Sequence, residues 1–251
     1  MGIKTLRSVA VAGLAACAVF AVLPAAAATG TMAAANSSNH VISHSKNAFQ
    51  SSNWSGYAET GSFTTAVGNW TVPTVSRTSN TPNRFSSQWV GIDGFNNQNL
   101  IQTGTEADFT NGSAHYLAWW EILPAPETVI PSITVHPGNS MTASVTKVSG
   151  TTWRISIRNN STGQSFTINR TYRGAGTSAE WIEEATSVNG QIGPPAKFST
   201  FSFSNLTSNN ANPNLNANEE IFLVQNGTTF STPSAPNSAH NGFSVTYTGT
   251  N

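Results

Sequence analysis

The sequence is poor in cysteine, in charge and in helical periodicity. Its one cysteine, Cys17, falls within an apolar leader, so the chain that follows has no disulfide and no thiol chemistry. Charged residues make up only 9% of the 251 residues, against roughly 25% in ordinary globular proteins. Eleven basic and eleven acidic residues cancel, and no basic stripe stands out. Nucleic-acid binding is therefore not expected. The five histidines, His40, His44, His115, His136 and His240, lack the HExxH type of ligand spacing, so neither a metal nor any other cofactor is expected. Phosphate loops, dinucleotide fingerprints and EF-hand loops are absent as well. No G-x-S-x-G elbow supports a Ser–His–Asp nucleophile, and His115 reads as a partly buried strand residue.

What is there begins with the leader. Lys4 and Arg7 precede the apolar run VAVAGLAACAVFAVLPAAAA, which ends in small residues near Ala26 to Ala28. That order describes a secretory signal peptide over residues 1–28, too short and Ala-rich for a retained membrane helix. Residues 29–50 are small, polar and without period, a linker or short pro-segment. One domain is expected over residues 51–251, secreted, free of the membrane once the leader is removed, and monomeric. Without the leader, nine basic residues remain against eleven acidic ones. With so little to titrate, acid builds up little self-repulsion, and tolerance of acid is expected.

From Ser51 onward, short runs rich in Val, Ile, Thr, Phe, Tyr and Trp alternate with Gly, Pro and Asn, which is strand texture. The clearest hairpin is TTWRISIRNNSTGQSFTINRTY. Trp153, Ile155 and Ile157 alternate with Arg154, Ser156 and Arg158, NNSTG turns, and Phe166 and Ile168 alternate on the return. Eight or more such strands with no intervening helices predict an antiparallel β-sandwich or barrel. The best helix candidate is the brief stretch around SAEWIEEA. Most of the seven tryptophans are expected in the core, although indoles also line sugar- and peptide-binding clefts.

Carboxylates remain as candidates for chemistry. Glu59, Glu127, Glu219 and Glu220 read as loop or surface groups, and Glu106 and Asp108 as a polar strand end. Asp93, Glu121 and the cluster Glu180, Glu183 and Glu184 lie among apolar or aromatic neighbours. Burial against an indole raises a carboxyl pKa toward the range useful for acid–base work.

The segments NWSGY, SSQWVGIDG, LIQTGTEADF, AHYLAWWEILP and SAEWIEE follow one another in order over residues 53–184. Together they resemble the glutamic peptidases, or eqolisins. The resemblance covers Ser51 to the C-terminus and implies a concanavalin-like sandwich of two sheets of about seven strands. It also implies a secreted, acid-acting, pepstatin-insensitive endopeptidase that works on protein or peptide substrates without a covalent intermediate. By position it makes Gln102 and Glu180 the catalytic pair. Trp54, Trp89, Asp93, Trp119 and Glu121 would then line or support the cleft, and Glu183 and Glu184 would be solvated or structural neighbours. Fungal members carry cysteines near the GIDG segment. Asn96 and Asn97 stand here instead, so hydrogen bonds must hold that loop. Ile122 and Leu123 replace a pair of aromatics. Two alternatives stay open on the residues alone: a β-sandwich glycoside hydrolase using Glu121 and Glu180, and a carbohydrate-binding module that stacks sugars on exposed tryptophans.

Overall fold

A computed structural model describes residues 42–45, 48–78 and 83–249. The expected signal peptide, Cys17 and the first part of the 29–50 segment lie outside these residues. In chain order the strands are β1 (Ile42–Ser45), β2 (Ala48–Ser51), β3 (Trp54–Thr60), β4 (Thr65–Thr71), β5 (Val75–Ser76), β6 (Ser87–Ile92) and β7 (Ile101–Thr110). Next come β8 (Ser113–Ile122), β9 (Thr128–Val129), β10 (Ser140–Ser149), β11 (Thr152–Asn159), β12 (Ser165–Thr171), β13 (Ser178–Glu184) and β14 (Ser187–Val188). Last are β15 (Gln191–Ile192), β16 (Lys197–Phe198), β17 (Phe201–Ser208), β18 (Glu220–Gln225), β19 (Thr228–Pro233) and β20 (Phe243–Tyr247). Helix among the described residues is limited to a 3-10 turn at Ala217–Glu219.

The protein is all-β and its large sheet is almost entirely antiparallel. The hydrogen-bonded path runs β12-β11-β10-β4-β17-β20-β19-β18-β3-β13-β6-β7-β8-β9. β2 adds to β18 in parallel and carries β1 on its other side, so two strands fall largely within the segment read as linker or pro-segment. The sheet doubles over, and β4, β10 and β11 pack on β6 and β7. Between these layers lie Tyr57, Val90, Ile92, Ile101 and Trp181 from one side and Trp70, Met141, Val145, Trp153 and Ile155 from the other.

Local chemistry explains the hairpins. In β11, Trp153, Ile155 and Ile157 are buried while Arg154 and Arg158 are exposed, the period of two expected of a strand with one wet face. Asn159 ends it by accepting from the backbone N–H groups of Ser161 and Thr162, and Gly163 takes a positive φ of 80°. β7 turns into β8 through Asn111-Gly112, with φ of 51° and 80°. β18 turns into β19 through Asn226-Gly227, with φ of 50° and 76°. Two consecutive positive-φ residues make the tight turn that suits the twist of paired strands, and Asn-Gly is the dipeptide that takes it at least cost.

SAEWIEE, the best helix candidate of the sequence, is a strand, β13. It lies between β3 and β6 and pairs with both along its length. Both faces of β13 are covered, and all seven of its residues are buried. A strand buried on two sides loses the alternation that would have betrayed it.

Candidate active site

Successive residues of a strand point to opposite faces, and directly paired residues of neighbouring strands share a face. Register therefore sorts the candidates. One row across the sheet reads Ala58, Glu180, Gly91, Gln102, Glu121. The next reads Gly56, Ile182, Trp89, Gly104, Trp119, and a third reads Trp54, Glu184, Ser87, Glu106, Leu117. Six of the seven sequence candidates thus stand on one face, away from the core shared with β10 and β11. Trp54 and Trp89 meet edge-on with ring centroids 5.0 Å apart.

Gly91 is the centre of the first row. It pairs with Glu180 on one side and Gln102 on the other. Two strand spacings put those two backbones roughly 10 Å apart, and Gly91 itself adds no side chain between them. A Cβ at Gly91 would come within 2.8 Å of the Trp89 ring.

The electrostatics follow from burial. Glu180 is fully buried, and neither carboxyl oxygen has a hydrogen bond of normal geometry among the described residues, although the Ser178 hydroxyl and the Phe95 backbone lie close enough to act on it. Burial raises its pKa well above the usual carboxyl value, the Ser178 hydroxyl opposes the rise, the charge of Asp93 adds to it, and the Phe95 backbone opposes it. Gln102 donates from Nε2 to Oε2 of Glu121 at 2.6 Å, while its Oε1 is buried without a partner. Burial and the neighbouring Glu184 push Glu121 up to about 8, against the pull of the Gln102 bond. Glu184 accepts from Trp89 Nε1 at 2.8 Å and from Asn53 Nδ2 at 2.8 Å. Burial nevertheless raises it to about 7.

Asp93 behaves in the opposite way. It closes β6 with a positive φ of 68°, a conformation Asp tolerates, and its carboxylate points back into the protein. Burial alone would raise its pKa. Hydrogen bonds from Tyr172 (2.7 Å), the Thr177 N–H (2.7 Å), the Gly176 N–H (2.9 Å) and Asn97 (2.8 Å) outweigh burial and hold it below the usual value. Asn97 also donates to Thr177, and Thr177 donates to Asn96. The hydrogen-bonded loop expected from Asn96 and Asn97 is therefore present.

Several residues near the site were not foreseen. A cavity of about 10 Å³, room for one water, is lined by Ser87, Gln102, Glu106, Trp119, Glu121, Glu127, Glu184 and Thr186. Glu106 and Asp108, read as a polar strand end, are both only 2% exposed. Glu127, expected in a loop or at the surface, lines the cavity. Glu59, Glu219 and Glu220 are half-buried. Glu183 and Glu184, expected as solvated or structural neighbours, are buried and hydrogen-bonded, and His115 is exposed rather than partly buried. Strand parity in IQTGTE and SSQWV would have placed Glu106 beside Gln102 and Ser87 beside Trp89. Glu127 lies beyond the end of β8 and gives no such signal. Among the described residues no group of three or more His, Cys, Asp or Glu could hold a metal ion.

The chain belongs to the peptidase A4 family, whose model matches residues 52–247. It is 30% identical over 180 residues to aspergillopepsin-2 of Aspergillus niger, covering 62% of this chain and 63% of that relative. It is 33% identical over 147 residues to scytalidopepsin B of Scytalidium lignicola, covering 56% of this chain and 54% of that relative. The chain therefore spans somewhat over half the length of these relatives. Among solved structures, scytalido-glutamic peptidase with a transition-state analogue inhibitor aligns at a TM-score of 0.67 and 26% identity, over 78% of this chain and 98% of that one. Aspergilloglutamic peptidase from Aspergillus niger aligns at a TM-score of 0.55 and 26% identity, over 65% of this chain and 99% of that one.

Proposed function

We propose that this chain is a secreted, acid-acting endopeptidase that cleaves peptide bonds by attack of a water held between Gln102 and Glu180. The observation that carries this reading is the row Glu180–Gly91–Gln102, an acid and an amide on one face of the sheet, on either side of a residue with no side chain. We read the doubled sheet as a sandwich. Seven strands of its path run from β12 to β19 and seven from β18 to β9, which supports that reading.

The chemistry suits these groups. The unpartnered Oε1 of Gln102 accepts a hydrogen bond from the water, and the Glu180 carboxylate takes its proton as the oxygen attacks the peptide carbon. The N–H of Gln102 not used by Glu121 donates to the oxygen that becomes negative. Glu180 then returns the proton to the nitrogen as the C–N bond breaks, leaving an acid and an amine. No covalent intermediate forms. An amide does this work without changing charge in acid. Water admitted to the site hydrates Glu180 and removes the burial that raises its pKa, so the base form becomes accessible.

The two alternatives fit poorly. Glu121 and Glu180 lie three strand spacings apart in the row, roughly 14 Å between backbones, with Gln102 between them and bonded to Glu121. A glycosidase pair is wanted about 5 to 9.5 Å apart at the carboxyls. Six of the seven tryptophans are at most 3% exposed, and Arg170 sits over the ring of the half-buried Trp120 at 5.0 Å, which leaves no open indole platform for sugars.

The deciding experiment incubates the secreted protein with a denatured protein in acidic buffer containing pepstatin, beside Gln102→Ala and Glu180→Gln. Cleavage by the native chain alone supports the proposal. Near-normal cleavage by either folded variant overturns it.

A further inference from the structure

The proposed mechanism asks a precise thing of Gln102. Its amide must present oxygen to the water and an N–H to the developing oxyanion. An amide rotated by half a turn exchanges these two ends and offers the wrong one to each. Something must hold it.

Glu121 is placed to do so. It lies directly opposite Gln102 in the β7–β8 pairing, on the side away from Glu180. Its Oε2 accepts from Gln102 Nε2 at 2.6 Å. That bond uses one of the two amide hydrogens and leaves the second hydrogen and Oε1 free. The remaining oxygen of Glu121 has no partner among the described residues, and Glu121 itself is 2% exposed. It lines the one-water cavity shared with Glu184, Glu106 and Glu127. The carboxyl thus has an acceptor oxygen turned to Gln102 and a second oxygen beside other acids. A proton on that second oxygen leaves the first as a carbonyl acceptor, so neutral and ionised Glu121 both receive the amide N–H.

The chain around the pair is also held. Thr103, next to Gln102, donates from Oγ1 to the Trp119 carbonyl at 2.6 Å, and Trp119 Nε1 donates to Ser87 Oγ at 3.1 Å. β7 and β8 are tied two residues from Glu121, which leaves the amide torsion of Gln102 as the loose coordinate.

We propose that Glu121 is a positioning residue that fixes the direction of the Gln102 amide by accepting one of its N–H bonds. This rests on the Gln102–Glu180 reading and adds a part to it. Glu121 acts through Gln102 and not on the reacting atoms. It makes the amide a directed group rather than a rotor with two near-equal states.

The test compares Glu121→Gln with Glu121→Leu in the full chain, alongside Gln102→Ala. Glu121→Gln keeps an acceptor oxygen at the same reach and cannot ionise; Glu121→Leu keeps bulk and removes the acceptor. The expected result is a kcat lower by about 100-fold in Glu121→Leu, the cost of a misdirected group, with KM little changed and the circular dichroism intact. Glu121→Gln should stay within about threefold of the native chain in kcat, because the acceptor is restored. Native kcat in Glu121→Leu overturns the proposal. So does loss of activity in Glu121→Gln equal to that in Glu121→Leu, since an ionising role would then be at work; this arm holds even if the leucine variant fails to fold. An active Gln102→Ala removes the dyad itself, whereas an inactive Gln102→Ala beside an active Glu121→Leu leaves the dyad standing and removes only the positioning.

Discussion

Glu180 and Gln102 are not neighbours in the sheet; each pairs with the same residue, Gly91, from opposite sides. The acid and the amide are thus separated by one strand and by the missing side chain of one glycine. Replacing Gly91 with alanine puts a methyl group on that face, 2.8 Å from the Trp89 ring and 3.2 Å from Leu100. Activity should fall by about 100-fold or more, since the methyl displaces the Trp89 ring and Leu100 between the two partners and misaligns them. The β13–β6–β7 pairing uses backbone groups only and should survive with a modest fall in melting temperature. Peptide release and thermal unfolding, measured on one preparation, separate the two effects.

The buried acids predict how stability follows pH. Burial raises Glu121 to about 8 and Glu184, Asp108 and Glu127 to about 7. Glu106, Glu180 and Glu183 are raised well above the usual value, burial again being the main cause. Each group holds its proton more tightly in the folded chain than in the unfolded one, where carboxyls titrate near pH 4. The stability this represents is complete below that value and is lost as pH rises through the folded pKa values. Urea midpoints should therefore be highest in acid and fall steadily between about pH 4 and pH 8. A midpoint that rises over this interval would contradict the burial of these carboxyls as protonated groups.

Much of this was legible in the sequence, and what was hidden has a common cause. Trp153, Ile155 and Ile157 announce β11 because its other face is wet and carries Arg154 and Arg158. Asn111-Gly112 and Asn226-Gly227 are turn signals readable from two residues each. SAEWIEE misleads because a strand covered on both faces shows no alternation. The burial of Glu106, Glu184 and Glu183 is a property of register among β3, β13, β6 and β7, which join segments up to 131 positions apart, as in the bond from Asn53 to Glu184. No local window contains that information. The pairing of Gln102 with Glu180 entered through the ordered motifs and not through spacing, for the same reason.

Asp93 should matter more for the loop than its distance from Gln102 implies. Its carboxylate joins the end of β6 to the 172–177 segment through Tyr172, Gly176 and Thr177. In Asp93→Asn the amide nitrogen faces donors that need an acceptor, at a cost of about 3 kcal/mol, the range for charged hydrogen bonds in a buried site. Removing the charge also lowers the Glu180 pKa, which Asp93 helps to raise. The expected outcome is a less stable protein whose pH–activity profile moves toward acid. Unfolding by urea and the pH dependence of kcat/KM measure the two parts, and an unmoved profile would remove Asp93 from the electrostatics of the site.

Glu183 offers a way to divide stability from catalysis within one strand. It lies three residues from Glu180 and therefore on the opposite face of β13, in the core between the layers. There it accepts from Gln88 Nε2 at 2.7 Å, Gln88 Oε1 accepts from Thr105 at 3.3 Å, and Thr105 accepts from Trp70 Nε1 at 3.0 Å. Its second oxygen has no partner among the described residues, and Glu184 and Asp108 oppose its ionisation. Glu183→Gln keeps the acceptor for Gln88 and removes the group that must ionise as pH rises. In acid its stability should match that of the native chain. Toward neutrality it should exceed it, because one folded-state proton no longer has to be held. Activity in acid should be unchanged, since nothing on the Glu180 face has moved. Parallel urea titrations in acidic and neutral buffer, with peptide cleavage as the control, test this; equal loss of stability in both buffers would mean that the carboxyl proton of Glu183 is not part of the pH response.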